Sequence, residues 1–473
     1  MAGIGFKLRQ LTRQGFEVQG YLGAAVVSCG PWLFTVVSLL LSQWIAGQDR
    51  DLDLYRALIT YAFAFSLLFT SLFQNVVTRY LADRLHQNDA SRHWPALAGV
   101  SAFVVPGCWL LGLALFGGCP IALSQKIQAV SLLVLTSQNW IYTIFVGAVR
   151  AYRWIVLAFA LGSAATILAA HQVNLLTAFV LGQFVVGALL VSSLVREFPI
   201  GPRQWDFEWV HYIRRYAGLG TAGTCMQLAV WAGVFTYWVS PEASSVAGLR
   251  FFPRHDLCLF IGMLSTVPTV TLFFLQTETS FYEAYRAFFF GILEGKIRLS
   301  DLQLHKSQMR RILLGSLTRV ARVQFLVSLP LIFYSSEVLG WLGLPQEWSL
   351  NLQLAVGGSL MLAFFQCAVI LLYYYELYTQ AALVCLVFLC IQTLFAYLSL
   401  GWGPESYGIG LLLGSLIGFA WSAQLLRNHI QSLEFYTFTG QPMPGTLDKV
   451  PPGEEFCRQV RKDGRWLVDW QSL

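Results

Sequence analysis

The sequence predicts an all-α polytopic membrane protein, with twelve transmembrane helices in two six-helix lobes and both termini cytoplasmic. Three observations carry that expectation. Of the 473 residues, 56% are hydrophobic and only 12% charged, against about 25% charged in a soluble domain, and mean hydropathy is +0.58. The apolar residues fall in runs near 20–46, 55–79, 95–116, 127–149, 154–170, 173–195, 212–239, 257–277, 313–335, 350–375, 379–400 and 404–426, lengths suited to a hydrocarbon core of ~30 Å. With the N-terminus inside, only Arg50, Arg56, Lys126, Arg250 and Arg254 of the 31 Lys and Arg residues fall on the outer side. That asymmetry is the one that orients membrane helices, and an error of one span would scramble it.

Residues 1–19 read as an interfacial amphipathic helix. Ile4, Leu8 and Leu11 recur at helical spacing, and Lys7, Arg9, Gln10, Arg13 and Gln14 fill the other positions, a pattern that lies in a headgroup layer. The uncharged run from Tyr21 to Ala46 is too long for a signal-peptide core and lacks a small-residue cleavage site, so it reads as a retained first span. Gly30 and Pro31 are gating candidates there, because proline removes an intrahelical hydrogen bond and bends a helix; a static packing kink is the alternative. A polar break at His171, Gln172 and Asn174 divides the fifth span from the sixth. The N-terminal lobe is thus expected over 20–195, a cytoplasmic linker over 196–211 and the C-terminal lobe over 212–426. Six is even, so both lobes start on the same side and any repeat is parallel, its axis along the membrane normal. An echo fits: Gly23, Ala24, Ala25, Ser28 and Cys29 in span one resemble Gly220, Thr221, Ala222, Thr224 and Cys225 in span seven.

Within the second lobe, the segment 278–311 carries an aromatic stripe of Phe281, Tyr282, Tyr285, Phe288 and Phe289, with basic residues gathered towards its end. Helices on the cytoplasmic face are expected, the stripe serving as a candidate docking surface for a partner; a solvated connector is the alternative. The tail 427–473, with Pro442, Pro444, Pro451 and Pro452, is too short for a domain.

The chemistry that is missing narrows the function. No GxxxxGK[ST], GxSxG or HExxH motif occurs, and the nine cysteines form no CxxC pair or metal-ligand spacing, so no cofactor, metal or enzyme activity is expected. The basic residues sit between apolar runs and form no soluble patch, so nucleic acid is not an expected partner. None of the 25 acidic residues falls in the middle of a span, where a proton- or cation-coupled pump usually keeps a titrating carboxylate. Arg79, Arg150, Arg214 and Arg215 stand at cytoplasmic mouths, while Arg319 and Arg322 enter span nine by about one turn. Each is equally a snorkelling topogenic residue. Neutral polar and aromatic side chains occupy the middle, and amides and aromatic faces bind sugar hydroxyls and C–H faces without demanding charge. Transport-path candidates are therefore Gln74, Asn75, Arg79, Gln138, Asn139, Trp140, Gln227, Trp231, Arg319, Arg322 and Gln366. The bland alternative is helix-to-helix hydrogen bonding and interfacial belts.

The opening MAGIGFKLRQL (1–11) and SCGPW (28–32) resemble the start of the PelG family, inner-membrane components of Pel exopolysaccharide export. The stretches TRYLADRL (78–85), RFFPR (250–254) and ETSFY (278–282) are similar in the same order, so the likeness covers all twelve spans. Cys29 stands where the family has a serine. The resemblance implies a twelve-helix exporter of the flippase superfamily that includes multidrug and toxin extruders and O-antigen flippases. It also implies a bacterial inner-membrane location and two kinds of partner, a cytoplasmic glycosyltransferase using a nucleotide sugar and membrane subunits including a cyclic-di-GMP receptor. The implied cargo is an N-acetylhexosamine polymer deacetylated only after export. A neutral chain suits a neutral path, since a cationic one would cost about 2.3 kcal/mol per charge against 100 mV. Other expectations are a lipid-linked oligosaccharide flippase, which the neutral path disfavours, and a non-transporting scaffold of a synthase.

Overall fold

The computed structural model describes residues 29–46, 51–87, 89–149, 151–198, 204–293 and 298–439. The interfacial helix expected over 1–19, the first residues of span one, Arg150 and the tail beyond 439 lie outside them. Among the described residues, ten helical segments are long and apolar enough to cross a membrane. Two more helices complete the set: Gly30–Ala46, of 17 residues, and Ala217–Trp238, whose glycines and threonines dilute its hydropathy. We number the helices α1 (Gly30–Ala46), α2 (Leu52–His86), α3 (His93–Phe116), α4 (Leu123–Ala148), α5 (Tyr152–Ala169), α6 (Leu175–Glu197), α7 (Trp209–Arg215), α8 (Ala217–Trp238), α9 (Pro253–Leu264), α10 (Val267–Gln276), α11 (Tyr282–Leu293), α12 (Leu299–Phe333), α13 (Ser335–Trp341), α14 (Ser349–Tyr374), α15 (Tyr378–Ser399), α16 (Ile409–Gln431) and α17 (Leu433–Thr439). Spans one to six are α1–α6. Span seven is α8, span eight is α9 with α10, and spans nine to twelve are α12, α14, α15 and α16.

Packing divides these twelve into two lobes with one plan. In the first lobe α5 packs on α6, α4 on α2, α3 and α6, and α1 on α5. Six spans later the same pairs recur: α15 on α16, α14 on α9, α12 and α16, and α8 on α15. That correspondence is a parallel repeat. Each lobe closes its own core, around Leu58, Tyr80, Phe145 and Phe179 in the first and Phe365, Val384, Phe388 and Tyr237 in the second. Small residues let backbones approach where the hydrophobic effect between helices is absent. A Cβ on Gly182 would sit 1.8 Å from Thr166 Oγ1 across α5–α6, and one on Gly410 would sit 2.6 Å from the Gln392 carbonyl across the equivalent α15–α16 contact.

Local signals explain the breaks. The polar turn between α5 and α6 ends in Asn174, whose side chain accepts from the Thr177 N–H at 2.8 Å and caps α6. Span eight is not one helix. It stops at Ser265 and Thr266, whose hydroxyls bond back to Gly262 and Met263, and restarts with Pro268 in the first turn of α10, where a missing N–H costs nothing. Between α8 and α9 a hairpin forms, β1 (Ser244–Val246) against β2 (Leu249–Phe251). Its two-residue turn, Ala247 and Gly248, has φ of 50° and 83°, the positive pair that matches strand twist.

The linker is docked on the first lobe. Asp206 is 2% exposed; it accepts from Tyr80 OH at 2.9 Å, and its own N–H bonds to the Pro95 carbonyl at 3.0 Å. Glu208 pairs with both Arg84 and Arg92. Trp209, opening α7, is buried beside α2 and α3, edge-on to Phe73 and Phe103.

The aromatic stripe of 278–311 is spent on the chain itself. After a π-helical turn, Thr277–Phe281, α11 presses Phe281 and Phe288 into the second lobe at 1% and 0% exposure. Tyr285 OH donates to the Tyr374 carbonyl at 3.1 Å, and Phe289 and Tyr282 are half-buried. Burial leaves Phe281 and Phe288 no open face for a partner, while Tyr285, like Tyr282 and Phe289, stays half-buried. The expectation of an exposed docking stripe is corrected to that of a core element.

Candidate functional site: the seam between the lobes

Among the described residues, helix contacts join the lobes at two seams. α2 of the first packs along α8 of the second, and α1 meets α9 and α10. Under the repeat, spans two and seven exchange with spans eight and one, so the two seams are equivalents.

The α2–α8 seam has three zones. At the end near the hairpin, Tyr61 stacks on Trp238 with centroids 4.6 Å apart, and Phe65 stacks on Phe235 at 5.3 Å. Phe235 stacks in turn on Trp231 at 5.8 Å. Tyr61 OH also donates to the Arg250 carbonyl at 2.9 Å and accepts from the Arg250 N–H at 3.1 Å, so the hairpin straps this end. In the middle, Thr224 donates to the Ser71 carbonyl at 3.4 Å and Asn75 to the Leu219 carbonyl at 3.5 Å. Gly223 makes room for that amide, since a Cβ there would lie 2.2 Å from Asn75 Nδ2. Gln227 is half-buried and shares this face of α8 with Thr224 and Trp231 by helical spacing.

Charge lies at both ends. Near the hairpin, Trp238 Nε1 donates to the Asp256 carboxylate at 2.8 Å and the Arg250 guanidinium to the Ser240 carbonyl at 2.6 Å; at the far end stands Arg79. Arg79 of α2 pairs with Asp83 at 3.2 Å on its own helix and, across the seam, with Glu376 at 3.1 Å. It also donates to Tyr378 OH at 3.4 Å and lies 5.2 Å from the Tyr216 ring centre. Glu376 sits between α14 and α15 with φ of 56°, a left-handed backbone that is rare without glycine. Nearby, burial and then the Asp83 carboxylate push the Tyr212 phenol of α7 above its ordinary value, so it remains a neutral donor. At the second seam, Cys29 Sγ lies 4.0 Å from the Val267 carbonyl and 3.9 Å from Thr271 Oγ1. The Trp32 and Phe260 rings lie 6.0 Å apart.

Of the residues expected on a path, the structure brings Asn75, Arg79, Gln227 and Trp231 to the seam. Gln74 is exposed on α2 one position from Asn75. Gln138, Asn139 and Trp140 are spent inside the first lobe: Gln138 donates to Ser101, Asn139 to the Gln183 carbonyl and side chain at 2.9 and 3.0 Å, and Trp140 to Ser66 at 3.2 Å. Such bonds tie membrane helices together at about 0.6 kcal/mol each. Gln366 is half-buried on α14 within the second lobe. Arg319 and Arg322 are exposed on α12, which packs on α10, α11 and α14; they do not join Arg79. Gly30 and Pro31 open α1 beside Cys29 and Trp32, with Pro31 in the first turn and the preceding chain outside the described residues. Sequence reasoning missed Tyr61, Tyr216, Trp238 and Tyr378, and left Glu376 as an end marker; the run YYYEL at 373–377 was the available signal. Among the described residues, no three His, Cys, Asp or Glu side chains form a metal-binding group.

Solved structures with this arrangement are transporters. A MATE in the straight conformation superposes with a TM-score of 0.61 at 14% identity, over 88% of this chain and 96% of that one. An outward-facing MATE transporter of the MOP superfamily gives 0.59 at 14%, over 87% and 96%. A MOP superfamily transporter from Pyrococcus furiosus, described by the reversed polarity of its binding pocket, gives 0.55 at 14%, over 87% and 96%. At that identity the likeness is one of fold. No curated protein sequence matches. Residues 1–438 match the profile of a family described as PelG, putative exopolysaccharide exporter.

Proposed function

The chain belongs to the PelG family of putative exopolysaccharide exporters, and from that premise we propose that it carries a growing, uncharged exopolysaccharide across the bacterial inner membrane. The supporting observation is the zoning of the α2–α8 seam. Its middle offers amide, hydroxyl and aromatic groups, and its charges stay at the two ends, Arg79 and Glu376 at one and Asp256 and Arg250 at the other. A neutral N-acetylhexosamine polymer can be handled by such groups, whereas a pyrophosphate-bearing lipid needs cations along the way.

In this reading the Arg79 end faces the cytoplasm, following the distribution of basic residues. The lobes rock as bodies about the seam. Admission of a chain at the cytoplasmic end requires that Arg79 part from Glu376 and Tyr378. A partly exposed ion pair holds at about 0–1 kcal/mol, so this is a latch thermal motion can open. The glycosyltransferase that extends the chain and the membrane subunits of a Pel-type synthase are the partners proposed.

Reconstitution tests it. The purified protein in liposomes, with its glycosyltransferase and nucleotide sugar outside, is expected to deliver polymer to the lumen. Tight binding of the transferase with no lumenal polymer would replace the exporter by a scaffold.

A further inference from the structure

One face of α12 is cationic near its start and apolar beyond. Arg311, Gly315, Thr318 and Arg322 share a stripe at 3.6 residues per turn, and Leu326, Leu329 and Phe333 continue it; apart from Gly315 all side chains named are exposed. The opposite face, with Met309, Val320 and Gln324, is buried. Arg319 reaches back along the stripe. Its Nε lies 3.4 Å from the Gly315 carbonyl, as side chains on a helix lean towards the N-terminus. Gly315 itself is open, for a Cβ there would meet nothing within 4 Å. Arg311 and Arg310 line a neighbouring cavity of about 530 Å³ with Ser307, Lys306 and the Glu434 carboxylate, which Lys306 holds.

Lys306 is already engaged, bonding the Gln431 carbonyl at 2.6 Å and the Glu434 carboxylate, which ties α17 to α12. Among the described residues, no carboxylate pairs with Arg310, Arg311, Arg319 or Arg322. Like charges one helical turn apart repel, so Arg319 and Arg322, with Arg319 reaching over the open Gly315 and no carboxylate paired to either, are stabilised by an anion from outside. The apolar continuation of the same stripe says where that anion is attached.

We propose that the notch at Gly315 binds the phosphate of an anionic phospholipid in the cytoplasmic leaflet, its acyl chains lying along Leu326, Leu329 and Phe333. The cytoplasmic placement rests on the orientation given above; the binding itself does not depend on what is exported. Guanidinium groups take phosphate through paired hydrogen bonds, and basic pockets at the cytoplasmic ends of membrane helices suit anionic headgroups.

The test is native mass spectrometry of the full-length protein in detergent, titrated with phosphatidylglycerol or phosphatidylethanolamine. Arg311→Gln with Arg319→Gln and Arg322→Gln is expected to weaken phosphatidylglycerol binding by roughly tenfold or more. Arg214→Gln with Arg298→Gln and Arg427→Gln, an equal loss of exposed charge elsewhere, is expected to change it little. Gly315→Leu, which keeps every charge and fills the notch, is expected to lose binding too. Equal binding by both triple variants overturns the proposal. Displacement of the lipid by millimolar inorganic phosphate overturns it in favour of a soluble phosphate, and loss of glycosyltransferase copurification with lipid binding intact overturns it in favour of a protein surface.

Discussion

Along α2 and α8 the contacts run from Tyr61 on Trp238 to Arg79 on Tyr216, a rise of about 27 Å at 1.5 Å per residue. Along the equivalent α1 and α9–α10 contact, the interactions described are those of Cys29 and Trp32 at the start of α1, while Leu40, Leu41 and Trp44 further on are exposed. The partner helices differ in the same direction. α2 is a continuous helix of 35 residues, and span eight is broken at Ser265 and Thr266. Among the described residues the α2–α8 contact is thus a continuous spine, and the contact at the start of α1 a shorter edge. An unbroken helix suits a spine because its side chains keep one register along the whole contact. A break marked by Pro268 lets the two halves of span eight tilt separately.

The largest effect expected from this difference comes from locking the edge. Thr271→Cys places a thiol next to Cys29, and oxidation should abolish nearly all export until reductant is added. Phe65→Cys with Phe235→Cys holds only the hairpin end of the spine, leaves the Arg79 end free to part, and should cost less export after oxidation. Comparable losses from both cross-links would erase the distinction between spine and edge. Next comes wedging the spine open. Gly223→Leu forces a side chain into Asn75, and overpacking of this kind costs about 1–3 kcal/mol; a clear fall in melting temperature in detergent is the readout.

A smaller loss is expected at Asn139, which bridges α4 to α6 away from both seams. Asn139→Ala should lower stability by about 1 kcal/mol without altering which polymer is exported. A changed cargo preference would return Asn139 to the path. Smallest in stability is the latch. Glu376→Gln should cost less than about 1 kcal/mol, yet Arg79→Glu alone should impair export and Arg79→Glu with Glu376→Arg should recover it. Failure of the exchanged pair, with protein present in the membrane, would mean Arg79 acts on something other than Glu376.

Much of this was legible in the residues. Uncharged runs and the placement of arginines yield the spans, and the even number of spans before the linker yields a parallel repeat. Within the echo, Cys29 faces the second lobe and Thr224 the first, whereas Cys225, the counterpart of Cys29, lies in the core of its own lobe. Three things were not legible. A glutamine or asparagine in a span looks the same whether it faces cargo or a neighbouring helix, which is why Asn139 and Asn75 were grouped together. Pro268 lies inside an uncharged run, so hydropathy reads α9 and α10 as one span. The aromatic stripe of α11 has the spacing of a surface helix, and only the position of Tyr374 beneath it makes it core.

The clamp on the linker has a mechanical consequence. Asp206 and Glu208 bolt the chain to the first lobe through Tyr80, Arg84 and Arg92, and α7 rides on α2. The second lobe therefore hangs from a pivot one residue long, Tyr216, where φ of −114° and ψ of 38° separate α7 from α8. A residue inserted next to Tyr216 lengthens the lever and turns the whole second lobe out of register with the first.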